Sequence, residues 1–207
     1  IQNITRPIFA VITSNQIYEN SDLKIDFTLG GGDLPQQMKA FYHIGGTSKY
    51  DSVDVSGSSG SYTFTIPKSK VTASGIDYYI KGYYSGTTLI FGQALGTNTS
   101  VRVLVPSISV PKVLQRKTYS MLSTVDIPGL PLFGQLFQNF GEHSSKVWRA
   151  FRWNQDKEQY DEILNNDYSL GKGDGFWLIT NTDKTNLTMY NILSTPSGET
   201  FKLKLKP

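Results

Sequence analysis

Leu23, Ile25, Phe27 and Leu29 alternate with Lys24, Asp26 and Thr28, and this period of two constrains the chain more than any other feature. Successive side chains of an extended segment point to opposite faces, so the run specifies a strand with one buried side and one wet side. Gly30-Gly31-Gly32-Asp33 breaks it. The pattern returns over 37–44, where Met38, Ala40, Tyr42 and Ile44 oppose Lys39, Phe41 and His43, and Gly45-Gly46 ends it. A weaker strand is expected near 48–55, a turn at Ser56-Gly57-Ser58-Ser59-Gly60, then an inward set of Tyr62, Phe64 and Ile66 stopped by Pro67. Runs at 76–84, 87–93 and 99–105 complete the series. Six or seven strands in about a hundred residues, with a turn signal every eight to twelve, predict a two-sheet sandwich. The connections are too short for the crossover helices that a parallel sheet needs.

The boundary of this first domain is expected after residue 105. Val105-Pro106-Ser107-Ile108-Ser109-Val110-Pro111 holds two prolines that keep the chain extended and disfavour a helix. The expected organisation is a sandwich over 1–105, a short Pro-containing linker over 106–111, and a second domain over 112–207. A terminal strand of either domain is the other use for part of that linker. The aromatic residues divide there too: eight of the twelve tyrosines precede residue 106, while Trp148, Trp153 and Trp177 all follow it. In the second half, strands are expected at 117–123, 147–153, 159–163, 176–180, 185–190 and 200–206. One short helix is expected after Pro131, where Leu132, Phe133, Leu136, Phe137 and Phe140 fall at helical spacing. The fold class is therefore all-β: a sandwich followed by a mostly-β domain with one short helix.

Composition removes several kinds of chemistry. There is no cysteine, which excludes disulfides and Cys-ligated zinc or iron–sulfur sites. Twenty basic residues against 17 acidic give a net charge of +3, and no nucleic-acid motif accompanies it. No apolar run is long enough for a membrane-spanning helix. The two histidines, His43 and His143, stand outside any G-x-S-x-G or paired-histidine motif, so no catalytic residue is assigned and an enzyme is not expected. Asp22 and Asp26 share one strand face at about 13 Å, wider than the roughly 5–9.5 Å that glycoside hydrolysis uses. Gly171-Lys172-Gly173-Asp174-Gly175 leads into an apolar β run and not into the helix N-terminus that a phosphate loop requires.

Aromatic side chains are the candidates for binding. Trp148 and Trp153 are five apart, so in a regular strand they occupy opposite faces and one of them joins the core. Exposed Trp and Tyr make flat apolar shelves with polar edges, suited to a sugar ring or a protein partner. The candidate platform residues are Trp148, Trp153, Trp177, Tyr83 and Tyr84. Acidic loop residues Asp33 and Asp183 are the candidates for a structural calcium ion, and no other cofactor is expected.

Tyr62-Thr63-Phe64-Thr65-Ile66-Pro67, followed by Val71-Thr72-Ala73-Ser74-Gly75 and Ile76-Asp77-Tyr78-Tyr79-Ile80, resembles bacterial extracellular immunoglobulin-like and fibronectin type III-like modules over residues 8–105. The second half resembles a β module of large secreted or cell-surface proteins of Bacteroidetes-type bacteria. That likeness rests on Tyr119-Ser120-Met121-Leu122-Ser123, on Trp148-Arg149-Ala150-Phe151-Arg152-Trp153 with Tyr160, and on Gly173-Asp174-Gly175-Phe176-Trp177-Leu178. In that pattern a glycine–tryptophan–asparagine segment follows the point where this sequence stops, which implies a piece of a longer polypeptide. The resemblance implies an extracellular or cell-surface location and a non-catalytic structural, adhesion or interaction role. The implied partners are proteins or glycans at the cell surface and flanking domains of the same chain. The alternative it carries is a carbohydrate-binding module of a secreted multidomain enzyme.

Overall fold

Leu23–Gly30 is a strand over its whole length, with Leu23, Ile25, Phe27 and Leu29 turned inward and at most 3% exposed. It belongs to a computed structural model that describes residues 3–13, 16–94, 97–110, 113–123, 140–141, 143–164, 171, 173–184 and 187–194. The chain divides into two compact units. The first runs to Leu104 and takes in Ser194; the second runs from Val105 to Leu193. Both are built of β structure.

In the first unit the strands are β1 (Ile8–Val11), β2 (Gln16–Tyr18), β3 (Leu23–Gly30), β4 (Gln37–Ile44), β5 (Asp51–Asp54), β6 (Ser56–Ser58), β7 (Ser61–Ile66), β8 (Ile76–Tyr84), β9 (Thr87–Phe91), β10 (Gln93–Ala94) and β11 (Thr97–Val110), the last of which belongs to this unit up to Leu104. One sheet has the order β1-β3-β7-β6. The other is built on β10-β11-β8-β4-β5, with β9 also paired to β8 and β2 lying parallel to β11. Inward residues of both sheets form one core. Phe27, Phe64 and Ile66 come from one layer, and Ala40, Ile76, Tyr78, Ile80 and Val103 from the other. Phe64 and Tyr78 meet edge to face across the layers at 5.5 Å, an arrangement that ring quadrupoles favour. The expected sandwich is present.

Two local readings are corrected. Ser56–Ser58 was expected to be turn but is strand β6, paired with β7; the turn is Ser59-Gly60 alone. Its φ values of 55° and 86° are those of a two-residue hairpin turn whose twist matches the flanking strands. Strands β1 and β2 precede the first clear alternation and are too short to show a period. Residues 106–110 of the expected linker are the end of β11.

The second unit holds β12 (Ser120–Ser123), β13 (Trp148–Asn154), β14 (Gln159–Ile163), β15 (Gly175–Thr180) and β16 (Leu187–Leu193). An antiparallel sheet has the order β12-β15-β13-β14. One face carries the core: Trp148, Ala150, Ile163, Phe176 and Leu178 are buried together with Leu114 and Phe140. The expected helix from 131 and the strand at 200–206 lie outside the described residues, apart from Phe140.

Candidate functional site

The face of this second sheet opposite the core is aromatic. In β13 the alternation hands Trp148 and Ala150 to the core and leaves Arg149, Phe151 and Trp153 on the other side. Register then decides their neighbours. Phe151 lies opposite Trp177, Trp177 opposite Met121, and Trp153 opposite Tyr160. Tyr119 stands one residue beyond the Ser120–Leu178 pair, on the same side as Met121. Each of the four strands, or its immediate flank, therefore supplies at least one large apolar side chain to one face.

These side chains are open to solvent. Met121 is 67% exposed, Tyr160 55%, Tyr119 54% and Trp153 51%, while Phe151 and Trp177 are half-buried and form a floor. Trp153 and Tyr160 pack edge to face at 5.1 Å, and Tyr119 tilts over Phe151 at 6.0 Å. Tyr119, Phe151, Tyr160 and Trp177 line an open hollow of about 450 Å³. Tyr119 also lines a second, polar hollow of about 210 Å³ with Lys117, Ser145, Arg149, Thr180 and Asn181. The two share a wall.

A charge pair braces the apolar floor. Arg149 donates from Nε to Glu162 Oε1 at 2.8 Å and from Nη2 to Oε2 at 2.7 Å, a two-pronged geometry that holds the guanidinium in one plane. The guanidinium carbon lies 4.8 Å from the centre of the Phe151 ring, within cation–π range. His143 Nε2 is 3.2 Å from the same Glu162 Oε1, and its ring meets Trp148 edge to face. The Arg149 hydrogen bonds hold the Glu162 carboxyl below its ordinary value, against the opposing effect of burial, with His143 adding to the lowering. Arg149 has five N–H donors and Glu162 takes two, which leaves polar donors beside the rings.

No protein-family model matches the chain, and no curated protein matches it.

Of the residues nominated from sequence, Trp153 and Trp177 stand on this face. Trp148 does not: it is 2% exposed, its Nε1 donates to the Gly141 carbonyl at 3.2 Å, and it belongs to the core. Its place in the platform is corrected, because the strand period put the larger demand for buried volume on its side. Tyr83 and Tyr84 belong to the first unit. Tyr83 lies between Gln37 and Thr88 in the sheet, and the Tyr84 hydroxyl donates to the Asp33 carbonyl at 3.1 Å. They are not part of the aromatic face.

The nominated calcium residues are engaged with backbone. Asp33 Oδ2 accepts from Thr5 N at 2.8 Å, and Asp183 Oδ1 accepts from Arg116 N at 2.6 Å. Among the described residues, no group of three or more His, Asp or Glu side chains gathers as a metal site. His43 Nδ1 pairs with the Ile44 carbonyl, and its Nε2 lies 3.7 Å from Asp77, whose other oxygen accepts from Ser100 at 2.5 Å. The carboxylate sits between the serine and the imidazole, so His43 is not placed as a base for Ser100.

Sequence reasoning missed Tyr119, Phe151 and Tyr160, and with them Arg149 and Glu162. A signal for Tyr160 existed. The turn Gln155–Glu158 sets Asn154 opposite Gln159, and that register puts Trp153 against Tyr160.

Proposed function

We propose that this chain is a non-catalytic binding module of a larger extracellular or cell-surface protein, and that the aromatic face of its second unit binds carbohydrate. The single observation that carries this reading is the convergence of Tyr119, Trp177, Phe151, Trp153 and Tyr160 on the solvent side of a sheet whose other side is a complete core. Sugar rings have apolar C–H faces and hydroxyl edges. Aromatic shelves take the faces, and a fixed guanidinium–carboxylate pair takes the hydroxyls. The first unit acts as a mount. Its sheet order, with β1 in one layer and β2 crossing to run along β11 in the other, is compatible with the immunoglobulin-like sandwich that the sequence resembles.

The test is a titration of the whole chain with soluble polysaccharides, read by tryptophan emission. Saturable binding is expected in the wild type and in Trp148→Phe, and at least tenfold weaker binding in Trp177→Ala at unchanged fold. A protein-adhesion surface is the second reading, favoured by Met121, because exposed methionine beside aromatics is a feature of protein interfaces. It is selected if no glycan competes while a Met121→Lys change blocks attachment of the chain to cells.

A further inference from the structure

Resting on that carbohydrate reading, we infer that the ligand is a neutral, extended oligosaccharide that lies diagonally across the sheet, from Tyr160 on β14 to Tyr119 beside β12, and not a single sugar or an acidic glycan. Three observations converge on this.

The first is length. Tyr160 pairs with Trp153, Phe151 with Trp177, and Tyr119 lies beyond the next pair of rows on the far edge strand. The diagonal crosses three strand spacings of about 4.8 Å and about four residues at about 3.4 Å each, which gives roughly 20 Å. A single pyranose ring covers a fraction of that. The rings are strung along this diagonal: Trp153 packs with Tyr160 at one end and Tyr119 with Phe151 at the other, and Tyr119, Phe151, Trp177 and Tyr160 line one continuous hollow between them.

The second is charge. Beside the rings stand Arg149 and Glu162, which neutralise each other through two short hydrogen bonds, with Lys117 farther out in the polar hollow. An acidic ligand would have to compete with Glu162 for the guanidinium, and a basic one would have to compete with Arg149. Neutral hydroxyls need neither: they accept from the remaining N–H groups and donate to carboxylate lone pairs while the pair stays intact. Lys117 stands at the outer wall of the polar hollow and is exposed, where a single ion pair contributes little.

The third is continuity. The apolar hollow and the polar one meet at Tyr119. A chain that stacks on Trp177 and Phe151 runs on past Tyr119 toward Ser145 and Asn181, whose side chains offer hydroxyl and amide groups. Such a sequence of surfaces suits successive units of one oligomer.

The experiment uses the full chain and neutral β-linked gluco-, manno-, galacto- and xylo-oligosaccharides, from the monomer to the hexamer, with oligogalacturonates of matched length as the acidic series. Calorimetric titration is expected to give affinity that rises at least about tenfold between disaccharide and pentasaccharide in one neutral series. Tyr119→Ala and Trp153→Ala, at opposite ends, should each remove most of that gain while leaving disaccharide affinity within about twofold. Both residues are more than half exposed, and a thermal melt confirms folding; Tyr119→Leu and Trp153→Leu serve if either alanine variant misfolds. Equal affinity for monomer and hexamer, or tighter binding of the acidic series, overturns this inference and leaves the carbohydrate reading standing. Absence of binding to every sugar overturns both.

Discussion

Trp148 and Trp153 sit five residues apart on one strand, and their substitution separates what the core needs from what the surface offers. Trp148→Ala removes a side chain that is 2% exposed, packed against His143 and hydrogen-bonded to the Gly141 carbonyl. Truncating a buried aromatic costs about 3–5 kcal/mol, mostly through the cavity it leaves. Trp153→Ala removes a ring that is half exposed and whose contact of note is Tyr160, worth about 0.5–1.5 kcal/mol. All three tryptophans follow residue 106, so tryptophan emission reports unfolding of the second unit without interference from the first. With a urea slope of about 2 kcal/mol per molar, the midpoint should fall by about 2 M for Trp148→Ala and by about 0.5 M for Trp153→Ala. Glycan affinity should reverse the order, falling at least tenfold for Trp153→Ala with the longer oligosaccharides. Equal midpoint shifts in the two variants would refute the division of this sheet into an inner and an outer face.

Tyr78 is fully buried, and burial pushes its ionisation from 10 up to about 12 against a smaller lowering by the Thr99 hydroxyl. A group whose ionisation is raised in the folded state stabilises below its unfolded value and loses that contribution as pH rises. Stability of the first unit should therefore decline between pH 10 and about 12, by up to about 1.4 kcal/mol per pH unit, and Tyr78→Phe should flatten that limb in a circular-dichroism urea series. Glu162 is shifted the other way, so its contribution is complete above its ordinary value of 4.5 and fades as pH falls through the lowered one; Glu162→Gln should blunt the acid limb of the second unit by less than about 1 kcal/mol, since Arg149 is largely solvated. Gly75 has φ +78°, and a Cβ there would stand 2.9 Å from Ser194 Oγ and 3.3 Å from the Val101 carbonyl; Gly75→Ala should cost about 1–3 kcal/mol in the melt of the first unit.

What was legible in the sequence followed from locality. The inward residues of β3, β4 and β7 could be named one by one because a half-buried strand writes its period directly into the chain. Ser56–Ser58 was misread because Ser and Gly carry turn propensity and no period, and only pairing with β7 makes them a strand. The site was harder for a related reason. Trp153 and Tyr160 meet through a local hairpin, but Trp177 and Tyr119 reach Phe151 through β15 and β12, far apart in sequence, and single-chain pattern carries no register for those pairs. Five apart meant opposite faces for Trp148 and Trp153; which face was inner waited on the hydrophobic partners that each side could recruit.

The strongest ground for a binding role is a comparison that the chain makes with itself. On the outer side of the first unit's smaller sheet, β3 displays Lys24, Asp26 and Thr28, and β7 displays Ser61, Thr63 and Thr65. That is how a sheet face meets water when nothing but solvation is asked of it. On the corresponding side of the second unit's sheet, β13 displays Arg149, Phe151 and Trp153, and β15 displays Trp177 and Ile179. Exposed aromatic residues on a sheet are an aggregation liability, and they contribute less to the unit's own stability than they would inside it. Cross-strand aromatic pairing repays part of that cost, but pairs such as Trp153–Tyr160 would repay more on the buried side. The contrast with the polar outer faces of β3 and β7 supports the binding role proposed for this one. The Arg149–Glu162 brace sharpens the point: a part-exposed ion pair beside the aromatic floor does little for stability, yet in the proposed role it holds hydrogen-bonding groups where a ligand's hydroxyls would meet them.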